Sequence, residues 1–195
     1  MPTRFTERIE ILATNLALWG ARMNLTAHPD DPEEVAFHVI DSLMPVVLAA
    51  STDTILYGEF AQGHRVLDLG SGAGFPGLVL ASASAANFTL AESRRKRSSF
   101  LQVAIADMGL KNVMIEAGRA EDTSLACQYD LVTARAFGDE AEFFTLAVKA
   151  LKPGGLAMLY ANPSQPFTVD VTRIPYRVAR RGAAVERVLA IWKQP

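Results

Sequence analysis

The sequence predicts an α/β fold: a doubly wound, mostly parallel sheet of seven strands, preceded by a helical extension. Three observations carry that expectation. From Arg65 onward, short apolar runs alternate with helical patterns, the rhythm of successive βαβ units. The first such run, Val66-Leu67-Asp68-Leu69, ends in Gly70-Ser71-Gly72-Ala73-Gly74-Phe75-Pro76-Gly77, a strand-to-helix turn with four glycines in eight residues. Ahead of residue 50 the apolar residues recur every three or four positions, as on one face of a helix. The expected organisation is therefore a helical extension over 1–50, packed on a single structural unit over 51–195.

In chain order, Phe5, Ile9, Leu12, Leu16, Trp19 and Met23 form one apolar stripe, predicting a helix over about 4–20 that Gly20 ends. Asp30 or Asp31 offers an N-cap, Pro32 suits the first helical position, and Glu33 and Glu34 suit the positive end of the dipole. That second helix should reach about residue 49, with a turn or short helix over 52–60. Strands are expected over 65–69, 87–91, 112–116, 129–133 and 156–161. Helices are expected from residue 75 or 76, over 94–108 with Gly109 as its stop, and over 140–151 with Phe143, Phe144, Ala147, Val148 and Leu151 inward. Lys152-Pro153-Gly154-Gly155 reads as a turn and 162–172 as a surface loop. A terminal hairpin over 176–180 and 185–192 completes the set.

The 195 residues are half hydrophobic and 21% charged, ordinary for a globular chain, with no apolar run long enough to span a bilayer. The N-terminal segment lacks the pattern of a secretory signal, and a cytoplasmic protein is the simplest reading. A lone Cys127 excludes an internal disulfide framework and a cysteine metal cluster, and reads as a small buried filler; His28 and His64 stand alone, so no metal site is expected. The net charge of −2 hides an asymmetry: residues 1–64 hold three basic and nine acidic side chains, and residues 173–195 hold six basic and one acidic. Arg94-Arg95-Lys96-Arg97 adds a basic cluster in the middle of the chain.

Glycines let a backbone turn tightly and approach a ligand where a Cβ would clash, so the turn after the first strand predicts a nucleotide-type cofactor site. The helix that follows directs unpaired N–H groups toward that turn. Asp68 with Gly70, Gly72 and Gly74 makes D-x-G-x-G-x-G, which resembles the first motif of class I S-adenosylmethionine-dependent methyltransferases. The resemblance implies a turn under the methionine part and ribose of S-adenosyl-L-methionine, ordered by Asp68. Glu92 ends the second strand 22 residues after Gly70, where a carboxylate can accept from both ribose hydroxyls.

Further segments narrow the likeness. They are Asn24-Leu25-Thr26, His38-Val39-Ile40-Asp41-Ser42-Leu43, Phe75-Pro76-Gly77, Leu90-Ala91-Glu92-Ser93, Lys96-Arg97-Ser98-Ser99-Phe100-Leu101, Gly118-Arg119-Ala120-Glu121 and Arg135-Ala136-Phe137. Over about residues 11–161 the chain resembles the RsmG (GidB) methyltransferases, which modify N7 of a guanine in 16S ribosomal RNA. By that likeness the partner is 16S RNA or the small ribosomal subunit, and cofactor contacts fall on Gly70, Phe75, Ala120, Glu121 and Arg135. Asn24, His38, Asp41 and Ser42 would lie near the site mouth. Arg119, Arg135 and Phe137 are candidates beside the base, and Arg94, Arg95, Lys96 and Arg97 for phosphates. Members of this family usually carry Lys-Gly at the end of strand five, where this chain has Leu159-Tyr160-Ala161-Asn162-Pro163.

No catalytic residue is expected. Guanine N7 has an in-plane lone pair and the sulfonium brings its own leaving group, so alignment replaces acid–base chemistry. His38, Asp41 and Ser42 share a helix face, but the chain lacks a nucleophile elbow, which argues against a hydrolytic triad. A small-molecule methyltransferase with the same cofactor site is the alternative reading.

Overall fold

The computed structural model describes residues 2–50, 53–118 and 127–195. The elements are helices α1 (Pro2–Met23), α2 (Pro32–Leu48), α3 (Gly77–Ala83), α4 (Arg95–Asp107) and α5 (Glu140–Ala150), and strands β1 (Arg65–Leu69), β2 (Asn87–Glu92), β3 (Val113–Ala117), β4 (Tyr129–Arg135), β5 (Leu151–Ala161), β6 (Thr172–Arg180) and β7 (Ala183–Lys193). The seven strands form one sheet in the order β3-β2-β1-β4-β5-β7-β6. Its first five members are parallel, and β7 lies antiparallel between β5 and the edge strand β6. Strand order reverses between β1 and β4, the place where open α/β sheets leave a crevice at their carboxyl ends.

Strand alternation divides the core in two. Val66, Phe88, Leu131 and Met158 face α1 to α4, whereas Leu67, Leu69, Val132 and Leu159 face α5 with Phe143 and Phe144. On the first side α2 packs against α3 and β6, and α1 against α4, so the N-terminal helices cover the sheet face beside the crevice. Pro175 is accommodated because β6 is an edge strand with one hydrogen-bonded neighbour.

Several local expectations change in the folded chain. Gly20 does not stop α1. A Cβ there would lie 2.2 Å from Pro29 Cβ, so this glycine serves close packing of the helix on the following loop. The stop is Asn24, left-handed at φ 51°, with Leu25 N–H returning to Gly20 O at 3.1 Å in a Schellman closure. Asp31 is the N-cap of α2, accepting from Glu33 and Glu34 N–H at 3.0 and 3.4 Å. Of the turn or short helix expected over 52–60, the described residues from 53 onward form turns, anchored by buried Leu56 and Phe60.

At the other end of the chain, Lys152–Gly155 is an outpouching within β5: Tyr129 pairs with Leu151, but Leu131 pairs with Leu156. Lys152 is tied to Asp130 at 2.8 Å there. Val148 is 40% exposed, because α5 is covered by the sheet along one side alone and this residue lies off that stripe. Cys127 is exposed rather than buried, at a left-handed turn with φ 51° leading into β4.

Candidate functional site

The turn after β1 is built from backbone bonds that its glycines make possible. Gly70, Gly72 and Gly74 all have positive φ, at 71°, 54° and 88°, a region L side chains rarely enter. Gly70 and Ser71 N–H both donate to Ala91 O, at 2.9 and 3.2 Å, binding the turn to the end of β2. Gly77 is required for a second reason. Its Cβ would lie 2.4 Å from Leu90 Cδ2 and 2.6 Å from Asp68 Oδ2, so α3 can start only where no side chain intervenes. The Phe75–Pro76 peptide just before it is cis.

The two acids predicted for this site both work on the backbone. Asp68 is fully buried, and its Oδ2 accepts from Gly77 N–H at 3.1 Å. That bond uses the first N–H of α3, which therefore does not face into the turn. Asp68 Oδ1 is buried without a partner among the described residues. Burial pushes the carboxyl up to about 7, against the pull of the Ser71 hydroxyl and of the Gly77 bond. Glu92 is 5% exposed, and its oxygens accept from Gly72 N–H at 2.9 Å and Arg94 N–H at 2.8 Å. Each oxygen keeps a lone pair for a further donor.

Beside the turn lies a pocket of about 330 Å³ at the carboxyl edge of the sheet. Gly70, Gly72, Phe75, His38, Arg97 and Arg135 contribute to its wall. Phe137 stands over the turn, 3.8 Å from where a Cβ of Gly70 would be, and packs edge-on to Phe143. Arg97 reaches across the mouth to donate to Asn24 O at 2.9 Å, so Asn24 contributes a carbonyl and a helix stop. Arg94, Arg95 and Lys96 point outward and exposed, without an ion pair among the described residues. Arg119, Ala120 and Glu121 lie outside the described residues.

The side chains of His38, Asp41 and Ser42 converge on Arg135 rather than on one another. The Arg135 guanidinium donates to His38 O at 3.1 Å and to Ser42 Oγ at 3.2 Å, faces Asp41 Oδ2 at 3.4 Å through Nε, and lies against His38 Nδ1. Ser42 Oγ donates to its own helix at His38 O, which leaves no nucleophile–base pair. Asp41 has no solvent exposure, and it also accepts from Tyr176 OH at 2.7 Å and Arg187 Nε at 3.3 Å. Tyr160 OH donates to Ser42 O at 2.8 Å.

Sequence reasoning missed Tyr176 and Arg187, which the terminal hairpin brings beside α2. It also missed Glu34 and Arg180, which line the pocket. Arg180 grips the buried Glu34 carboxylate through Nε and Nη2, the latter at 2.7 Å, and Arg181 adds a further bond at 3.1 Å. The Arg180 bond chiefly holds Glu34 down to about 2. The one signal available in the sequence was the opposite charge of the two chain ends.

A mostly parallel seven-stranded sheet with one reversed strand beside its last parallel member, and a glycine turn tied to two buried acids, defines a Rossmann-like methyltransferase. A family model for GidB, rRNA small subunit methyltransferase G, matches residues 6–166. The ribosomal RNA small subunit methyltransferase G of Sorangium cellulosum is 40% identical over 185 residues, spanning 93% of this chain and 73% of that protein. The protein of the same name from Neisseria meningitidis is 34% identical over 175 residues, spanning 88% of this chain and 77% of its own length. Among solved structures, an RNA methyltransferase from Salinibacter ruber in complex with S-adenosyl-L-homocysteine superposes with a TM-score of 0.57 at 16% identity, covering 80% of this chain and 90% of that one. This chain belongs to the rRNA small subunit methyltransferase G (GidB) family.

Proposed function

We propose that this protein is an S-adenosylmethionine-dependent methyltransferase that modifies N7 of a guanine in 16S ribosomal RNA. The observation that carries the reading is the turn after β1: three left-handed glycines and a buried acid with an unpartnered oxygen, in a chain of this family. Bare backbone faces and an orphaned carboxylate oxygen fit a cofactor that joins a nucleoside to a cationic amino acid. Asp68, Gly70, Gly72, Gly74, Phe75, Glu92, Ala120, Glu121 and Arg135 are the residues we assign to holding it. The remaining lone pairs of Glu92 suit ribose hydroxyls, and a cation near Asp68 would bring its carboxyl back toward the ionised form.

S-adenosylmethionine supplies an electrophilic methyl group on a sulfonium that leaves as a neutral thioether. The protein's own contribution is alignment and exclusion of water, an effect on the order of 7–11 kcal/mol at best. His38, Arg135 and Phe137 bound the space beside the turn where a flipped-out base would be received, and single-stranded RNA is read in that way through stacking and exposed edges. Arg94, Arg95, Lys96 and Arg97 supply charge for phosphates around that opening. Residues 1–50 act as a helical extension that walls the site of the 51–195 methyltransferase unit. Action on ribosomal RNA implies a cytoplasmic protein, and among the described residues no helix is long and apolar enough to cross a membrane.

The test uses small subunits from a strain lacking the modification, incubated with the protein and labelled S-adenosylmethionine. The expected result is label at one guanine, identified as 7-methylguanosine by mass mapping, and binding of S-adenosylhomocysteine by calorimetry. Binding without transfer to RNA, with transfer to a small molecule instead, overturns the RNA assignment.

A further inference from the structure

His38 stands in the pocket wall with its protonation pattern dictated by its neighbours. A guanidinium carries donors and no acceptor, and Arg135 Nη2 lies against His38 Nδ1. Nδ1 is therefore the accepting nitrogen and carries no hydrogen, so the ring hydrogen sits on Nε2. Among the described residues Nε2 has no hydrogen-bond partner. Burial, reinforced by the Arg135 charge, holds the ring down to about 4, so it is neutral at physiological pH.

The arrangement does not depend on His38 alone. Asp41 faces Arg135 Nε, and Asp41 is fixed in turn by Tyr176 OH and Arg187. The chain from the terminal hairpin through α2 to the end of β4 thus locks one tautomer. The His38 ring also packs 5.2 Å from the Phe75 ring, which belongs to the glycine turn, so the ring stands in the pocket wall beside the assigned cofactor site.

We propose that His38 selects guanine at this site by donating its Nε2 hydrogen to O6, the acceptor next to the methylated nitrogen. The proposal rests on the reading of guanine N7 as methyl acceptor. Both purines offer N7, but guanine presents an oxygen beside it and adenine an amino group. A donor locked on Nε2 donates to the oxygen and opposes the hydrogens of the amino group. Neutrality matters as well: the product base carries a positive charge, which a charged donor at that point would repel.

The experiment measures methyl transfer to small subunits reconstituted with 16S RNA carrying either guanine or 2-aminopurine at the target, the latter keeping N7 and lacking O6. For the unsubstituted protein, kcat/KM should fall about tenfold from guanine to 2-aminopurine, the scale of one good hydrogen bond. For His38→Phe the two RNAs should be methylated equally, at the lower rate, with S-adenosylhomocysteine affinity unchanged. His38→Gln, which offers a planar acceptor to Arg135 and a donor beyond it, should restore most of the difference and guards against a Phe variant that fails to fold. Long-range ¹⁵N–¹H correlation spectra should show His38 hydrogenated on Nε2 at neutral pH. A His38→Phe protein that keeps the full preference for guanine, or a ring found with its hydrogen on Nδ1, overturns the proposal. An unsubstituted protein that methylates neither RNA would overturn the functional reading instead, whatever the spectra show of the ring.

Discussion

Arg94, Arg95, Lys96 and Arg97 form one basic region, and Arg177, Arg180, Arg181 and Arg187 form another of equal formal charge. In the folded chain they have opposite circumstances. The hairpin arginines all have carboxylate partners within the chain: Arg180 on Glu34, Arg181 on Glu34 and Asp31, Arg187 on Asp41, and Arg177, at the surface, on Glu186. The side chains of Arg94, Arg95 and Lys96 meet no carboxylate among the described residues and are exposed, next in sequence to the Arg97 of the pocket wall. A basic run is therefore evidence for a polyanionic partner only after its internal partners have been subtracted. Here that subtraction removes the C-terminal run, and it explains why the acidic N-terminal third and the basic tail nearly cancel.

This contrast can be broken from the hairpin side first, where the effect should be largest. Asp41→Ala leaves Arg135 and Arg187, with side chains 11% and 16% exposed, without their shared carboxylate. Loss of one member of a buried pair costs on the order of 3–5 kcal/mol, to be read as a lower midpoint in urea unfolding. Reversing Arg94, Arg95 and Lys96 together to Glu should leave that midpoint in place. It should weaken subunit binding and flatten the dependence of log K on log salt by roughly 0.7 for each phosphate of single-stranded RNA that is no longer neutralised. Equal loss of folding stability would show that this cluster, too, is internally paired.

Glu34 gives a pH-dependent version of the same test. Its carboxyl is held down to about 2 chiefly by Arg180, below its ordinary value of 4.5. The stabilisation it contributes is present above 4.5 and is lost as pH falls through about 2. Glu34→Gln should be less stable than the unsubstituted protein at neutral pH, and the gap should close as pH is lowered across that window. A gap independent of pH would mean that Glu34 acts through packing. The smallest effect belongs to Arg177→Ala. That pair is 72% and 61% exposed, so stability should change by less than about 1 kcal/mol and RNA binding not at all.

Legibility from sequence followed the range of the interaction. The first four strands, the α2 cap at Asp31 and the glycine turn are local matters of periodicity, capping and φ, and they appear in the folded chain within a residue or two, whereas β5 and β6 begin at Leu151 and Thr172, ahead of the expected 156 and 176. Gly20 misled because its role lies across space at Pro29, while the true stop, Asn24, depends on one left-handed residue that periodicity does not reveal. Val148 and Cys127 were placed inside by their chemistry, and the packing of α5 and the turn before β4 left them outside.

The candidate site divides in the same way. Asp68, Gly70, Gly72, Gly74, Phe75 and Glu92 occupy two strand ends and one turn, so their neighbourhood follows from the βα pattern. Arg135 was visible at the end of β4, but its ties to His38, Asp41 and Ser42 were not, being 93 or more residues apart. Tyr176 and Arg187 lie 135 and 146 residues from Asp41.

By itself, then, the order of amino acids determined the kind of sheet, its strand-to-helix rhythm and the backbone cradle after β1, because each depends on neighbours within a few turns of chain. Tertiary structure alone decided which charges are neutralised, which nitrogen of His38 keeps its hydrogen, and which arginines remain free to meet a polyanion. Those outcomes depend on which ends of a reversed sheet come within hydrogen-bond distance, and no local pattern of residues carries that distance.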